Sequence, residues 1–353
     1  MRIRNVRNLR QINLSPSSGM NIIVGDNGSG KSSVLEAITL LSRGKSFRTN
    51  KISEVINFSQ SSLLVSTRIQ QQQQPIQKLG IEFSPSRREL RLNGEKVSQL
   101  STLAYQFPTQ FFDPGCYNLL DTEPKRRRQF IDWGTFHHDK MFLSAWKHYR
   151  KALLQRNSLL RGGDLRGIDA WDQKLAEYGG IISQIRFEYL QALYPVFDQF
   201  ARHFQVCSEF ELRLLPGWNT DIPLAMLLQQ SRALDIRYGY TRSGPHKYDF
   251  LLMADGRPAK TFMSRGQRKI LVLALMLAQI ELLTEVNQTQ ACVLVDDITA
   301  ELDCRNQNKF MRLLGNNSHQ LFVTTTDQDF VKRFRQNEAV KVFEINAGEI
   351  HSA

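Results

Sequence analysis

The chain has 353 residues, 41% hydrophobic and 23% charged, with 46 Lys/Arg against 34 Asp/Glu for a formal charge of +12. That length supports two or three domains around a sizeable core, and the positive balance favours a polyanionic partner over an acidic-metabolite site. No run of eighteen uninterrupted apolar residues occurs and Met1-Arg2-Ile3-Arg4 begins no signal-like apolar region, so the expectation is a cytoplasmic protein rather than a membrane or secreted one. The four cysteines, Cys116, Cys207, Cys292 and Cys304, lack metal-ligand spacing and read as scattered buried thiols of a reducing compartment.

Residues 1–24 read as a short antiparallel sheet. Arg7, in Val6-Arg7-Asn8, is either an ordinary exposed strand residue or one that leans over a nucleotide from the sheet edge. The stretch that follows, Gly25-Asp26-Asn27-Gly28-Ser29-Gly30-Lys31-Ser32-Ser33, lies between an apolar strand candidate (Met20 to Val24) and an apolar-periodic helix (Val34 to Leu41). It fits a phosphate loop. Its glycines let backbone N–H groups and a helix N-terminus approach an anion, Lys31 would reach the β- and γ-phosphates of a nucleotide, and the Ser32 hydroxyl would ligate Mg²⁺. A polar, basic loop, Gly44 to Thr49, follows the helix.

Residues 62–69, 77–83 and 89–93 alternate as strands do, with Asn93-Gly94 as a turn signal and the glutamine run Gln70 to Gln74 as a solvated hairpin loop. From about Cys116 the pattern becomes helical. Trp133 to Leu160 and Trp171 to Phe204 repeat apolar residues mostly three, four or seven apart on either side of Gly162-Gly163, which describes an antiparallel helical arm inserted into an αβ domain. Glu123 to Arg166 carries 11 Lys/Arg against 4 Asp/Glu. Lys125, Arg126, Arg127, Arg128, Lys147, Arg150 and Lys151 are its candidates for DNA-backbone contact, against the alternative of a solvated helix face.

Sheet-like patterning returns with Gly239 to Asp249, in which His246 of Gly244-Pro245-His246 has no partner carboxylate or metal-ligand spacing and reads first as a structural histidine. Ser264-Arg265-Gly266-Gln267 opens a strongly apolar helix, with Ser264 as its N-cap and a second anion site at the positive end of the helix dipole. Cys292 to Val295 is a short apolar run suited to a buried parallel strand. It ends in Asp296-Asp297, where Asp296 would hold Mg²⁺ through its water shell and Asp297 would orient or deprotonate the attacking water; a helix-start cap is the alternative. Ala300-Glu301-Leu302-Asp303 follows, and a further buried strand, Gln320 to Val323, runs into Thr324-Thr325-Thr326-Asp327.

In this order, phosphate loop, signature, Walker B and D-loop resemble the ATP-binding-cassette heads of the structural-maintenance-of-chromosomes class. Val6-Arg7-Asn8, Leu35-Glu36-Ala37-Ile38 with Gly44 to Thr49, Arg126 to Trp133, Trp171-Asp172, Gly244-Pro245-His246 and Ser264-Arg265-Gly266-Gln267 carry a closer resemblance, to the RecF family of bacterial recombination-repair ATPases. The resemblance implies an α/β, ABC-type P-loop ATPase head of mixed β-sheets with helices, bearing an inserted α-helical arm. The head is expected from 1–115 together with 236–353, and the arm from 116–235. It implies Mg-ATP bound between two subunits arranged head to tail, with Lys31 and Ser32 of one subunit facing Ser264 and Gly266 of the other. Gln110 falls near the place of a Q-loop glutamine that senses Mg²⁺ and the γ-phosphate, with Gln106 as its rival, and Thr326 takes the place of the histidine that follows the last strand in transporters. The function it implies is ATP-dependent binding to duplex DNA and to single-strand/double-strand junctions at gaps, helping RecO and RecR load RecA on the nucleoid. Asp297 in place of the transporters' Glu, and Thr326 in place of their His, suggest slow hydrolysis that times release from DNA. The rival readings are a transporter's nucleotide-binding subunit and a non-hydrolysing DNA scaffold.

Overall fold

The computed structural model describes residues 1–71, 75–206, 208–316, 319–336 and 339–352. Gln72 to Gln74 of the glutamine run and Cys207 lie outside the described residues, as do the side chains of Ala300, Glu301 and Asn316. The chain divides into two compact units, Met1–Cys116 with Gln288–Ala353, and Tyr117–Asn287.

The first unit opens with β1 (Arg2–Val6) and β2 (Leu9–Asn13), an antiparallel hairpin, then β3 (Met20–Val24), the phosphate loop and α1 (Lys31–Arg43). Next come β4 (Leu63–Ile69), β5 (Gln77–Phe83), β6 (Arg88–Leu92), β7 (Glu95–Val97), α2 (Leu100–Gln106) and β8 (Thr109–Phe112). Asn93 and Gly94, both at positive φ, close the β6–β7 hairpin as an Asn-Gly turn should.

The second unit comprises α3 (Pro124–His138), α4 (Lys140–Gly162), α5 (Ile168–His203), β9 (Phe210–Leu215), α6 (Leu224–Gln230), α7 (Arg232–Tyr238), β10 (Asp249–Ala254), β11 (Arg257–Pro258), α8 (Ala259–Phe262) and α9 (Arg265–Asn287). The chain then re-enters the first unit with β12 (Cys292–Val295), α10 (Ile298–Glu301), α11 (Cys304–Asn316), β13 (Gln320–Thr325), α12 (Gln328–Arg335), β14 (Val340–Asn346) and β15 (Glu349–Ser352).

Two sheets build the first unit. One is wholly antiparallel, in the order β2-β1-β4-β5-β6-β7. The other, β15-β14-β3-β13-β12-β8, is parallel except for its terminal β14–β15 hairpin. Every residue of β3, β8 and β12 is buried, which is why β3 and β12 read as apolar runs rather than alternations, while β8 buries Thr109 and Gln110 beside Phe111 and Phe112. Helix α1 touches β1, β4 and β5 of the first sheet and β8 and β13 of the second. Lying between them, it is buried at every position from Ser33 to Ser42, so its polar residues Glu36, Thr39 and Ser42 need partners inside the unit.

The return to the head expected at residue 236 lies instead at Gln288. The reason is pairing and packing within the second unit. Strand β10 aligns antiparallel with β9 along its whole length, from Asp249↔Leu215 to Ala254↔Phe210. Helix α9 packs on α5 and α3, and its Gln279 amide donates to Phe130 O and Tyr189 Oη, both at 2.8 Å. By length and composition α9 could cross a bilayer, yet Ile270 through Ile280 are all buried inside the unit, as in the core helix of a globular domain. The helical segment expected from Trp133 to Leu160 is broken at Asp139, whose side chain caps α4 by accepting from Met141 N–H.

Candidate functional site

Register places three chemistries at one sheet edge. β3, β13 and β12 run parallel, with Val295↔Val323 and Thr325↔Val24 as their last partners, so the loops after all three leave on the same side. The phosphate loop, Asp296-Asp297 and Thr326 are those loops, at the carboxyl ends of the strands where open α/β sheets bind ligand.

Gly30 adopts φ 118°, a conformation that L side chains avoid, and delivers the chain into α1 with Ser33 N–H and Val34 N–H turned onto its carbonyl. Gly25 is needed for another reason: a Cβ there would lie 2.2 Å from Ile345 O of β14. Lys31 folds back over the loop and donates from Nζ to Gly25 O at 2.7 Å and Asp26 O at 2.8 Å. Burial draws its ammonium below the ordinary lysine value, against the opposing pull of Asp297, Asp296 and Asp26.

The Ser32 hydroxyl donates to Asp296 Oδ1 at 2.9 Å, joining residues 264 positions apart. Thr324, on β13, donates to the same oxygen at 2.6 Å and accepts the Asp297 N–H at 3.0 Å. The Asp297 backbone sits at φ 49°, in the left-handed region, and its carboxylate accepts from Thr299 Oγ1 rather than capping α10. Ser32 Oγ and Asp296 Oδ1 are hard oxygens that suit Mg²⁺, which takes one or two protein ligands and completes its octahedron with water and phosphate. Among the described residues no group of three or more His, Cys, Asp or Glu could hold a metal by itself, so a nucleotide would have to supply ligands.

Sequence reasoning missed the residues that hold this loop in shape. Asn8 Nδ2 donates to Ser29 O at 3.0 Å, and its Oδ1 accepts from Ser33 Oγ at 3.2 Å. Gly348, in the β14–β15 turn, donates its N–H to Ser29 O at 2.9 Å. Arg7 is committed elsewhere than expected: its guanidinium forks onto both oxygens of the fully buried Glu36 carboxylate at 2.9 and 3.0 Å and also reaches Glu54 O. Ser46 donates to the same carboxylate. A carboxylate on the buried face of α1 needs such partners, and the bond to Glu36 raises the Arg7 pKa in return. The signal was available, since Arg7, Glu36 and Ser46 all lie in segments that carried the family resemblance.

Gln110 is not at the mouth. Within β8 it stands opposite Val293, while Asp296 donates its N–H to Phe112 O, so Gln110 lies three residues back inside the sheet and is buried at 3% exposure. Asp113 is the residue level with Asp296. Thr326 is exposed just beyond β13.

In the second unit Ser264 and Gln267 cap α9 reciprocally: Ser264 N–H donates to Gln267 Oε1 at 3.0 Å and Gln267 N–H to Ser264 Oγ at 3.3 Å. Gly266 is exposed, and a Cβ there would meet nothing within 4 Å. The basic run is divided. Lys125 and Arg126 are exposed, but Arg127 forks onto Asp249 at 2.8 Å through both Nε and Nη2, and Arg128 donates to Tyr248 O. Those two tie α3 to the start of β10: Arg127, forked onto Asp249, is committed there, while Arg128 stays partly exposed with one bond to Tyr248 O. Lys147, Arg150 and Lys151 are exposed on α4.

His246 has the structural role the sequence suggested: Tyr149 Oη lies 2.7 Å from Nδ1, and Nε2 donates to Thr241 O at 3.0 Å. Burial pushes its pKa down to about 4. Of the described cysteines, Cys292 is buried, Cys116 intermediate and Cys304 exposed, none of them in a disulfide, so the expectation of buried thiols holds for one of these three.

Comparison with known proteins agrees with this geometry. The family profile described as the RecF/RecN/SMC N terminal domain matches residues 1–351. The DNA replication and repair protein RecF of Shewanella denitrificans is 36% identical over 350 residues, covering 99% of this chain and 97% of the relative. That of Pseudomonas syringae pv. syringae is 37% identical over 352 residues, covering 99% and 96%. Among solved structures, the recombination mediator protein RecF with ATP, from the RecFOR pathway, aligns at TM-score 0.89 and 29% identity over 100% of this chain and 96% of that one. An Smc head bound to the C-winged helix domain of ScpA shares the fold at TM-score 0.57 and 15% identity, over 100% and 96% of the two chains.

Proposed function

Because this chain belongs to the RecF family, within the RecF/RecN/SMC N-terminal-domain group, we propose that it is an ATP-dependent DNA-binding protein of recombinational repair and replication. The observation that carries the reading is the convergence of Lys31, Ser32, Asp296 and Thr324 at one sheet edge. Lys31 leaves the Gly25 and Asp26 carbonyls to hold the β- and γ-phosphates of ATP. Ser32 and Asp296 hold Mg²⁺, which neutralises phosphate charge. Asp297 orients the attacking water, and Ser264 with the exposed Gly266 N–H of a second subunit closes on the γ-phosphate.

ATP bound only by the composite site stabilises a head-to-tail dimer by its differential affinity. The dimer presents two basic surfaces to one duplex, so DNA affinity rises with ATP and falls steeply with salt. Asp297, one methylene shorter than Glu and fixed on a left-handed backbone, makes hydrolysis slow, and hydrolysis releases the dimer. We assign the DNA target to duplex and gap junctions, the partners to RecO and RecR in loading RecA, and the location to the cytoplasmic nucleoid.

The test is binding to a gapped duplex with and without Mg-ATP, with mass followed by light scattering, for wild type, Lys31→Ala and Ser264→Arg. ATP should raise mass and affinity together in the wild type and in neither variant. If binding and mass ignore ATP in all three, the nucleotide site is not the switch and the non-hydrolysing scaffold replaces this reading.

A further inference from the structure

Helix α7 and the segment after it expose two aromatic rings on either side of Gly239. Tyr238 is 53% exposed and Tyr240 is 42% exposed, with ring centroids 6.1 Å apart, while Thr241 between Tyr240 and Arg242 is buried. The segment is fastened from below. Thr241 donates from both N–H and Oγ1 to Asn157 Oδ1 at 2.8 Å, its hydroxyl accepts from the buried Arg156, and its carbonyl accepts from His246. Gly239, at φ 72°, ends α7 in a left-handed cap and leaves room for the Arg161 stem, whose Cγ would lie 3.1 Å from a Cβ at that position. The two rings are therefore held rigidly outward on an anchored backbone.

Cations surround them. The Arg242 guanidinium lies 5.0 Å from the Tyr238 centroid and the Lys247 ammonium 5.2 Å from that of Tyr240, and Arg161 and Arg237 are exposed beside them. None of these four is ion-paired among the described residues. The one carboxylate between Arg232 and Tyr248, Asp235, is turned inward at 0% exposure onto Arg156. Exposed Leu234 and Ile236 add apolar surface on α7, but the nearby exposed acids Asp164 and Asp169 are already paired with Arg166 and Arg232, so the four unpaired cations favour a polyanion over a protein partner.

We propose that Tyr238 and Tyr240 form a stacking platform for unpaired bases of single-stranded DNA, with Arg161, Arg237, Arg242 and Lys247 holding its phosphates. Each ring has one face under its own cation and keeps about half its surface in solvent, which suits a base sliding onto the other face. Because stacking tolerates any base, the platform reads strandedness rather than sequence. It rests on the proposed DNA-binding function and adds to it the means of recognising the unpaired side of a gap.

The test uses the full chain, fluorescein-labelled (dT)20 and a labelled 20-bp duplex, with Mg-ATP, for wild type and for the double variants Tyr238→Ala/Tyr240→Ala and Tyr238→Phe/Tyr240→Phe. The alanine variant should lose (dT)20 affinity by about 10-fold or more, the phenylalanine variant should keep it, and duplex affinity should stay unchanged in both. The proposal is overturned if the alanine variant binds (dT)20 as wild type does, if phenylalanine fails to rescue, if duplex affinity falls equally, or if wild type does not bind (dT)20. Wild type that ignores ATP on the duplex overturns the proposed function instead, and the (dT)20 arm still decides the platform.

Discussion

Thr324 Oγ1 donates to Asp296 Oδ1 across 2.6 Å and in the same position accepts the Asp297 N–H at 3.0 Å, so one hydroxyl on β13 fixes both acids at the end of β12. It thereby sets the positions of the two acids to which the proposed function gives Mg²⁺ and the attacking water. Replacing it with Val removes both bonds while keeping the shape. Thr324→Val should lower ATP turnover by about 10-fold or more and weaken ATP binding less, and Thr324→Ser should restore it. Phosphate release and nucleotide titration on the same preparations separate the two effects.

Arg156 is fully buried and binds two fully buried carboxylates, Asp172 and Asp235. Truncating it leaves buried Asp235 with no ion-pair partner and leaves Asp172 held by Arg232 alone, at 2.7 Å. Arg156→Ala should cost about 3–5 kcal/mol in the unfolding of that unit, followed by urea titration of tryptophan fluorescence. A loss under 1 kcal/mol would mean that the carboxylates find other partners or water.

The pH dependence has a definite sign. His246 and His319 both have folded pKa values drawn down to about 4 by burial, below the ordinary value of 6.5. Unfolding therefore takes up protons below pH 6.5, and stability falls as pH drops from there through about 4, by up to about 1.4 kcal/mol per pH unit for each histidine. His246→Gln should flatten the acid limb of stability against pH by one proton. An unchanged slope would show that this ring is not neutral in the folded state.

Lys125 and Arg126 differ from Arg127 although they adjoin it in sequence. Lys125→Ala and Arg126→Ala should each reduce the slope of log K for duplex DNA against log salt by about 1, with thermal stability unchanged. Arg127→Ala should do the reverse, because its guanidinium is only 11% exposed and bound to Asp249. Equal salt slopes for wild type and all three variants would remove α3 from the DNA interface.

Much of this molecule was decided locally and could be read locally. The phosphate loop, the buried run Cys292 to Val295 ending in two acids, the Ser264 cap and the Asn93-Gly94 turn are short patterns whose residue types dictate their own backbone, so they were legible in the sequence, and the family resemblance they helped carry implied the α/β head. The tertiary structure decided what depends on residues far apart. Only parallel register sets Gln110 opposite Val293, back from the mouth, and only the pairing of β9 with β10 and the packing of α9 on α5 and α3 draw residues 236–287 into the second unit. A basic tetrad looks uniform along the chain because charge is a property of residue type. Which members are free depends on what packs against them, and Arg127 and Arg128 meet β10 while Lys125 and Arg126 meet solvent.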